Sequence, residues 1–176
     1  LPIFDGITLL TITANYPHKN LGIIKDVCEY LKVKYPTFKF RFVLTIDRSA
    51  SSMLSECSDV LFLGKVNVNQ CPFLYEQSDI MFLPTLLECF SASYPEAMKM
   101  KKPIMTSALG FAKGLCGEAA IYFNPLDARD IADKIYKLNE DEILKRNLIT
   151  AGIKQLTKFH HNEQRVEMYI KTIISV

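Results

Sequence analysis

The sequence predicts an α/β fold: a Rossmann-like, doubly wound parallel sheet of about six strands, with helices on both faces and a helical tail at the C-terminus. Two observations support this prediction. Short apolar runs alternate with helical patterns as far as about residue 138, and only helix follows. No internal repeat, low-complexity segment or linker-like stretch interrupts this order. We therefore treat residues 1–176 as a single domain.

The predicted strands are the apolar runs themselves. Each is short and nearly continuous, as expected for strands that are covered on both faces of a parallel sheet. In chain order they are Ile7–Ile12, Phe40–Ile46, Val60–Leu63, Ile80–Leu83, Pro103–Met105 and Ile121–Phe123.

The predicted helices are recognised by apolar residues at spacings of three and four. The first helix has Asn20 as its N-cap and Pro36 just past its end, and a later helix has Asp127 as its cap. Near the C-terminus one apolar stripe follows helical spacing. For this last helix two interpretations stay open: packing on its own domain, or crossing to another lobe. The stripe contains Val166, Tyr169, Ile170, Ile173 and Ile174.

Charge and hydropathy exclude several classes of function. The 21 basic and 19 acidic side chains are interleaved, which argues against a nucleic-acid-binding face. No signal peptide and no apolar run near 18 residues is present, so we expect no transmembrane segment. We expect a cytoplasmic protein, and peripheral attachment of the full-length protein to the inner face of the membrane stays open.

The cysteines and histidines do not show metal-ligand spacing. The five cysteines are scattered, without a CxxC pair or a nearby histidine pair, and fit reduced cytosolic residues. His160 and His161 are adjacent, and an adjacent pair on a helix cannot face one metal without distortion. We expect no metal and no cofactor. The cysteines are Cys28, Cys57, Cys71, Cys89 and Cys116.

The predicted fold narrows the search for a site to the loops at the carboxyl ends of the strands. These are residues 14–20, 84–94 and 107–112. The GxGxxG and GxxxxGK[ST] motifs are both absent, which disfavours a dinucleotide oxidoreductase and an NTP hydrolase. The first loop carries Lys19, which is placed to meet a phosphate. The alternative is that Lys19 is a solvated surface lysine.

The stretch ECFSASYPEAM, residues 88–98, predicts an anion-binding helix start. Pro95 suits a first helical turn, so the helix should begin near Ser93 or Tyr94. The small residues from Ser91 to Ser93 would let phosphates approach backbone N–H groups at the positive end of that helix.

The two glutamates of this stretch have different interpretations. Glu96 lies in the first turn, where its carboxylate can accept bonds from both hydroxyls of a ribose, or merely stabilise the helix dipole by about 0.3–1 kcal/mol. Glu88 lies at the sheet edge, where a carboxylate must face solvent, a cation or a ligand.

The spacing of Glu88 and Glu96 resembles the E-x7-E motif of retaining GT-B glycosyltransferases of family four, in their C-terminal, donor-binding lobe. Five further segments resemble the same family in order and spacing, so that the resemblance covers nearly the whole chain. They are the lysine loop Tyr16–Asn20, the F-x-G-x-V strand Phe62–Val66, the E-A-M helix start Glu96–Met98, the segment Lys102–Ser107, and Gly117–Ala120 followed by Asn124–Pro125.

The resemblance implies a nucleotide-sugar donor, UDP- or GDP-hexose, and retaining transfer of the hexose to an acceptor hydroxyl in glycan biosynthesis. It places Lys19 on the diphosphate, Glu96 on the ribose and the base against the loop that begins at Val66. It implies that Glu88 is the catalytic residue, near the transferred sugar, and that no metal takes part. The implied donor-binding residues are Lys19, Asn20, Val66, Cys89, Phe90, Ser91, Ala92, Ser93 and Glu96.

A GT-B cleft needs two lobes, and this chain supplies one. The start at Leu1 suggests a piece of a longer protein, so we expect that an N-terminal acceptor lobe is missing and that the isolated chain binds donor weakly and transfers nothing. The implied partners are that lobe and a glycan or lipid-linked acceptor.

The chain departs from the family pattern at two places. Ala14 stands where many relatives carry an arginine, and Cys89 and Ser91 stand where glycines are common. The missing cation leaves open a noncatalytic module that binds a nucleotide or a partner. A sugar-nucleotide epimerase of the same architecture also stays open.

Overall fold

The computed structural model describes residues 1–159 and 162–174. Its six strands form one sheet in the order β3-β2-β1-β4-β5-β6, and all neighbouring strands are parallel. All six predicted strands are confirmed, with ends that differ from the prediction by two residues at most. The strands are β1 Ile7–Thr11, β2 Phe40–Leu44, β3 Val60–Phe62, β4 Ile80–Leu83, β5 Ile104–Ser107 and β6 Ala120–Phe123.

Helices cover both faces of this sheet, which confirms the doubly wound α/β architecture and its helical tail. In the described residues the α-helices are α1 Ile23–Lys34, α2 Cys71–Glu76, α3 Ser93–Lys99, α4 Gly110–Cys116, α5 Ala128–Glu140, α6 Glu142–Leu156 and α7 Asn162–Ile174.

The core has two layers because successive residues of a strand point to opposite faces. Leu9 of β1 belongs to the apolar cluster that contains the buried faces of α1 and α5. The next residue, Leu10, belongs to the cluster that contains residues of α2, α3 and α4. Helices α2 and α3 therefore lie on the same face of the sheet.

The predicted N-cap Asn20 is wrong, whereas the predicted cap Asp127 is confirmed. Helix α1 begins only at Ile23, after Gly22. Asn20 instead ends a short 3-10 turn, Pro17–Lys19, in the left-handed region at φ 56°. Asparagine tolerates this conformation better than most residues, which explains why a residue that is also a good N-cap occupies a turn. Asp127 accepts hydrogen bonds from the first backbone N–H groups of α5.

The apolar stripe of α7 is not buried by the described part of the domain. Its large apolar side chains are each half-exposed or more, and the interpretation that this helix packs on its own domain is therefore wrong. They are Val166, Met168, Tyr169, Ile170, Ile173 and Ile174. The predictions for His160 and His161 lie outside the described residues. Among the described helices, none is both long and apolar enough to span a membrane.

Candidate functional site

The candidate site lies at the carboxyl edge of the sheet, where β1 and β4 are neighbours and the strand order reverses. The loops that leave these two strands are hydrogen-bonded to each other. The backbone N–H of Leu86 and the hydroxyl of Thr85 both donate to the carbonyl of His18, at 2.7 and 3.1 Å. The first two loops that the sequence analysis selected are therefore one structural unit.

Lys19 and Glu88 form an ion pair within this unit. Lys19 Nζ donates a hydrogen bond to Glu88 Oε1 across 69 residues of sequence. The two side chains are only 16% and 9% exposed. Lys19 is therefore not a solvated surface lysine. The sequence analysis expected Glu88 to face solvent, a cation or a ligand, and the structure shows that it faces a cation. Because an ammonium group has three N–H donors, Lys19 retains donors for a further anion.

The turn between the glutamates leads into α3, which begins at Ser93 as predicted. Its N-cap, Ala92, has no side chain that can accept a bond from the first N–H groups of the helix. Cys89 and Phe90 are exposed, Ser91 is half-buried and Ser93 is buried. The backbone of this turn is accessible at its small residues, whereas the side chain of Ser93 faces the interior.

Glu96 has one defined partner, the buried Tyr75. The Tyr75 hydroxyl lies 3.1 Å from Glu96 Oε2 and 3.4 Å from the carbonyl oxygen of Ser93. Burial, and then the charge of Glu96, raise the pKa of Tyr75, so this hydroxyl keeps its proton and donates at neutral pH. Sequence reasoning missed Tyr75. The available signal was a tyrosine within an apolar helix, since a buried tyrosine hydroxyl usually has a polar partner.

Asn20 and Val66 have mainly structural contacts in the described residues. The side-chain amide of Asn20 donates to the carbonyls of Pro84 at 3.2 Å and Pro125 at 2.8 Å, and so ties together two loops of the carboxyl edge. Val66 packs against the core cluster of the α2 and α3 face. It follows Gly64, whose φ of 70° favours glycine. Direct contact of Asn20 and Val66 with a nucleotide stays a prediction.

A second cluster of polar groups lies at the opposite edge of the sheet, just before β3. Cys28, Cys57 and Asp59 have ligand atoms within 4.8 Å of one another, although their sequence spacing gives no metal signal. Burial strongly raises the pKa of the Cys28 thiol. Lys32 already pairs with Asp59 at 2.5 Å. A thiol that resists ionisation and a carboxylate that already has a cation are poor metal ligands, and we assign no metal to them.

The fold and the site together define a Rossmann-like α/β domain whose candidate site lies at its topological switch point. The chain belongs to the family described as Glycosyl transferases group 1, whose family model matches residues 7–141. This confirms the resemblance at the level of the family. The comparison with curated proteins found no match.

Three solved structures with the same fold have chains of about twice this length. Anabaena Alr3699/HepE in complex with UDP and glucose has a TM-score of 0.80 at 17% identity, over 97% of this chain and 49% of that chain. Sucrose-phosphate synthase from Thermosynechococcus elongatus has a TM-score of 0.77 at 18% identity, over 98% of this chain and 47% of that chain. A UDP-forming α,α-trehalose-phosphate synthase from Burkholderia vietnamiensis has a TM-score of 0.80 at 14% identity, over 97% of this chain and 46% of that chain. The chain spans about half the length of these proteins.

Proposed function

We propose that this chain is the donor-binding lobe of a retaining hexosyltransferase that uses a UDP- or GDP-hexose in glycan biosynthesis. The observation that carries the proposal is the arrangement at the switch point. There Lys19, from the loop after β1, pairs with Glu88, which lies in the loop that leads from β4 into α3, and Glu96 lies in the first turn of α3. The family match supports this proposal, and so does a structural neighbour that was solved with UDP and glucose.

In this proposal the main chemical task is to stabilise the charge that develops on the leaving diphosphate. Lys19 supplies a cation, and the start of α3 supplies backbone N–H groups. Glu96 holds the ribose, and the loop at Val66 holds the base. Glu88 lies beside the transferred hexose, where its bond to Lys19 keeps its carboxylate in place. No metal or cofactor has a role in this scheme.

The proposed enzyme has two lobes, and the acceptor binds between them. The apolar stripe of α7, which the described domain leaves exposed, is in our proposal covered by the N-terminal lobe. The acceptor is a glycan or a lipid-linked glycan, and the full-length protein acts in the cytoplasm, with or without peripheral contact to the inner membrane face. The isolated chain should bind nucleotide without transferring sugar.

Nucleotide binding by the 176-residue chain is the direct test. A nucleotide at 100 times its dissociation constant should add about 2.7 kcal/mol to the free energy of unfolding, which a thermal-shift titration with UDP and GDP detects. Lys19→Met should weaken this binding at least tenfold, whereas Lys39→Met, at an exposed lysine far from the site, should not. Failure of both nucleotides to stabilise the wild-type chain would contradict the proposal.

The noncatalytic binding module is a second candidate, because Ala14 removes one expected diphosphate cation. Turnover by the full-length protein separates the two functions. The Glu88→Gln variant should lose transfer if the protein is an enzyme, while the exposed Glu29→Gln serves as a control. Incubation with labelled UDP- and GDP-hexoses without acceptor tests the remaining alternative, an epimerase, which would convert the sugar under these conditions.

A further inference from the structure

We propose that Tyr75 is a positioning residue for nucleotide recognition, which fixes the Glu96 carboxylate so that its free oxygen faces the ribose hydroxyls. This inference rests on the proposed function and adds to it a residue outside the glutamate motif. It also assigns a role to α2, the helix that carries Tyr75 and that the loop at Val66 leads into.

The two oxygens of the Glu96 carboxylate have different surroundings. Tyr75 is 1% exposed, and its hydroxyl donates to Glu96 Oε2. In the described part of the chain, no hydrogen bond reaches Glu96 Oε1. Glu96 itself is half-buried, so this second oxygen is available to a ligand at the surface.

A fixed carboxylate matters because a vicinal diol presents two hydroxyls in one defined plane. A glutamate side chain has three rotatable bonds, and ordering it on binding costs conformational entropy. A hydrogen bond that holds the side chain in the binding orientation before the ligand arrives removes part of this cost. The bond is charge-assisted, because the acceptor is ionised, and such bonds are stronger than neutral ones.

The position of Tyr75 also connects the two regions that should hold the nucleoside. Helix α2 follows a 3-10 turn, Val68–Gln70, which Asn67 and Gln70 stabilise by a reciprocal capping box. The thiol of Cys71, one turn before Tyr75, has a pKa that is raised by burial and then by the charge of Glu96. Cys71 and Tyr75, one turn apart on α2, therefore both lie near Glu96, the residue that is proposed to bind the ribose, and the loop at the N-terminal end of α2 is the proposed base loop.

The experiment compares ribose recognition in wild type and in two matched variants. Tyr75→Phe removes the hydroxyl that Glu96 accepts. Tyr94→Phe removes another buried tyrosine hydroxyl, on α3 itself, which is bonded to Thr106 at 2.8 Å and not to Glu96. Dissociation constants are measured by calorimetry for UDP, GDP and their 2′,3′-dideoxy counterparts. The informative quantity is the ratio of the dideoxy to the ribose constant.

We expect this ratio to fall about threefold in Tyr75→Phe, which corresponds to about 0.7 kcal/mol of lost ribose recognition. The ratio should stay at its wild-type value in Tyr94→Phe. In a Glu96→Ala background, Tyr75→Phe should have no further effect on the ratio, because its influence passes through Glu96. Trimethylamine oxide in all samples favours the folded state and keeps the comparison valid if a variant is destabilised.

The outcomes separate the inference from the proposed function. An unchanged ratio in Tyr75→Phe, with normal binding by wild type, overturns the inference alone. An equal fall in Tyr75→Phe and Tyr94→Phe also overturns it, because the effect would then be general loosening of the α3 region. Absence of binding by the wild-type chain overturns the proposed function and the inference together.

Discussion

Removal of one partner from the ion pair between Lys19 and Glu88 should destabilise the domain strongly. In Lys19→Met the apolar stem is kept and the ammonium group is lost, so the Glu88 carboxylate, only 9% exposed, has no cation. Exposed pairs contribute about 0–1 kcal/mol, and the loss of one partner from a buried pair costs about 3–5 kcal/mol. With side chains 16% and 9% exposed, the cost of Lys19→Met should be about 2–3 kcal/mol.

Substitution of the other partner, Glu88, should cost less stability. In Glu88→Gln the amide oxygen can still accept the hydrogen bond of Lys19, and the ammonium group, on a flexible stem, can reach water. We expect a loss of about 1 kcal/mol. In the double variant no charge is left without its partner, so its loss should be smaller than the sum of the single losses. A double-mutant cycle measures that difference as a coupling free energy of about 1–2 kcal/mol.

Urea denaturation is the appropriate assay, because the midpoint and the slope are obtained together. Lys39→Met is the control: Lys39 pairs with Asp5 at 2.5 Å, but the two side chains are 64% and 92% exposed. This variant should unfold at the same urea concentration as wild type. If Lys19→Met behaves like Lys39→Met, the reasoning from burial is refuted. A coupling free energy near zero would refute it as well.

Three further predictions concern the surroundings of the site. Gly64→Ala should cost about 1–2 kcal/mol, because φ is 70° there, whereas Gly110→Ala, in open space, should be neutral in the same denaturation assay. Asn20→Asp should cost about 1–3 kcal/mol, because a carboxylate cannot donate to the carbonyls that the amide binds; Asn20→Gly, which keeps the backbone conformation, should cost less. Burial raises the pKa of Cys116 from 9.0 to about 12. The stabilisation that comes from this buried neutral thiol is complete below pH 9 and is lost as the pH rises to 12. The free energies of unfolding of wild type and Cys116→Ala should therefore converge by about 1.4 kcal/mol per pH unit over this range. Parallel curves of stability against pH would contradict this prediction.

The strands were predictable because their signal is local. A strand that is covered on both faces must be apolar at nearly every position, and Ile80–Leu83 shows this in four consecutive residues. The start of the first helix was not predictable from such a pattern. Asparagine is favoured both before a helix and in a left-handed turn, and Asn20 takes the second role because a 3-10 turn precedes α1.

The contacts of the candidate site were less predictable, because they join residues that are distant in sequence. Tyr75 and Glu96 are 21 residues apart. Each lies in a short helix, and the pattern of apolar strands does not show which way the side chains of these helices point. That they meet follows only from the placement of α2 and α3 on the same face of the sheet. The sequence identified Glu96 by its spacing from Glu88, but nothing in that spacing shows which side chain would hold its carboxylate.

The pairing of Lys19 with Glu88, by contrast, follows from the strand order once that order is known. β1 and β4 are hydrogen-bonded neighbours, so the loops after them start about 4.8 Å apart. Lys19 follows the end of β1 by eight residues and Glu88 follows the end of β4 by five, so both side chains remain near that edge. If another strand separated β1 from β4, the two charges would start about one strand spacing further apart, and the mutual hydrogen bonds of the two loops would be lost. The ion pair is therefore a consequence of the topological switch point, and the same reversal of strand order places Lys19 at the edge where open parallel sheets generally bind ligands.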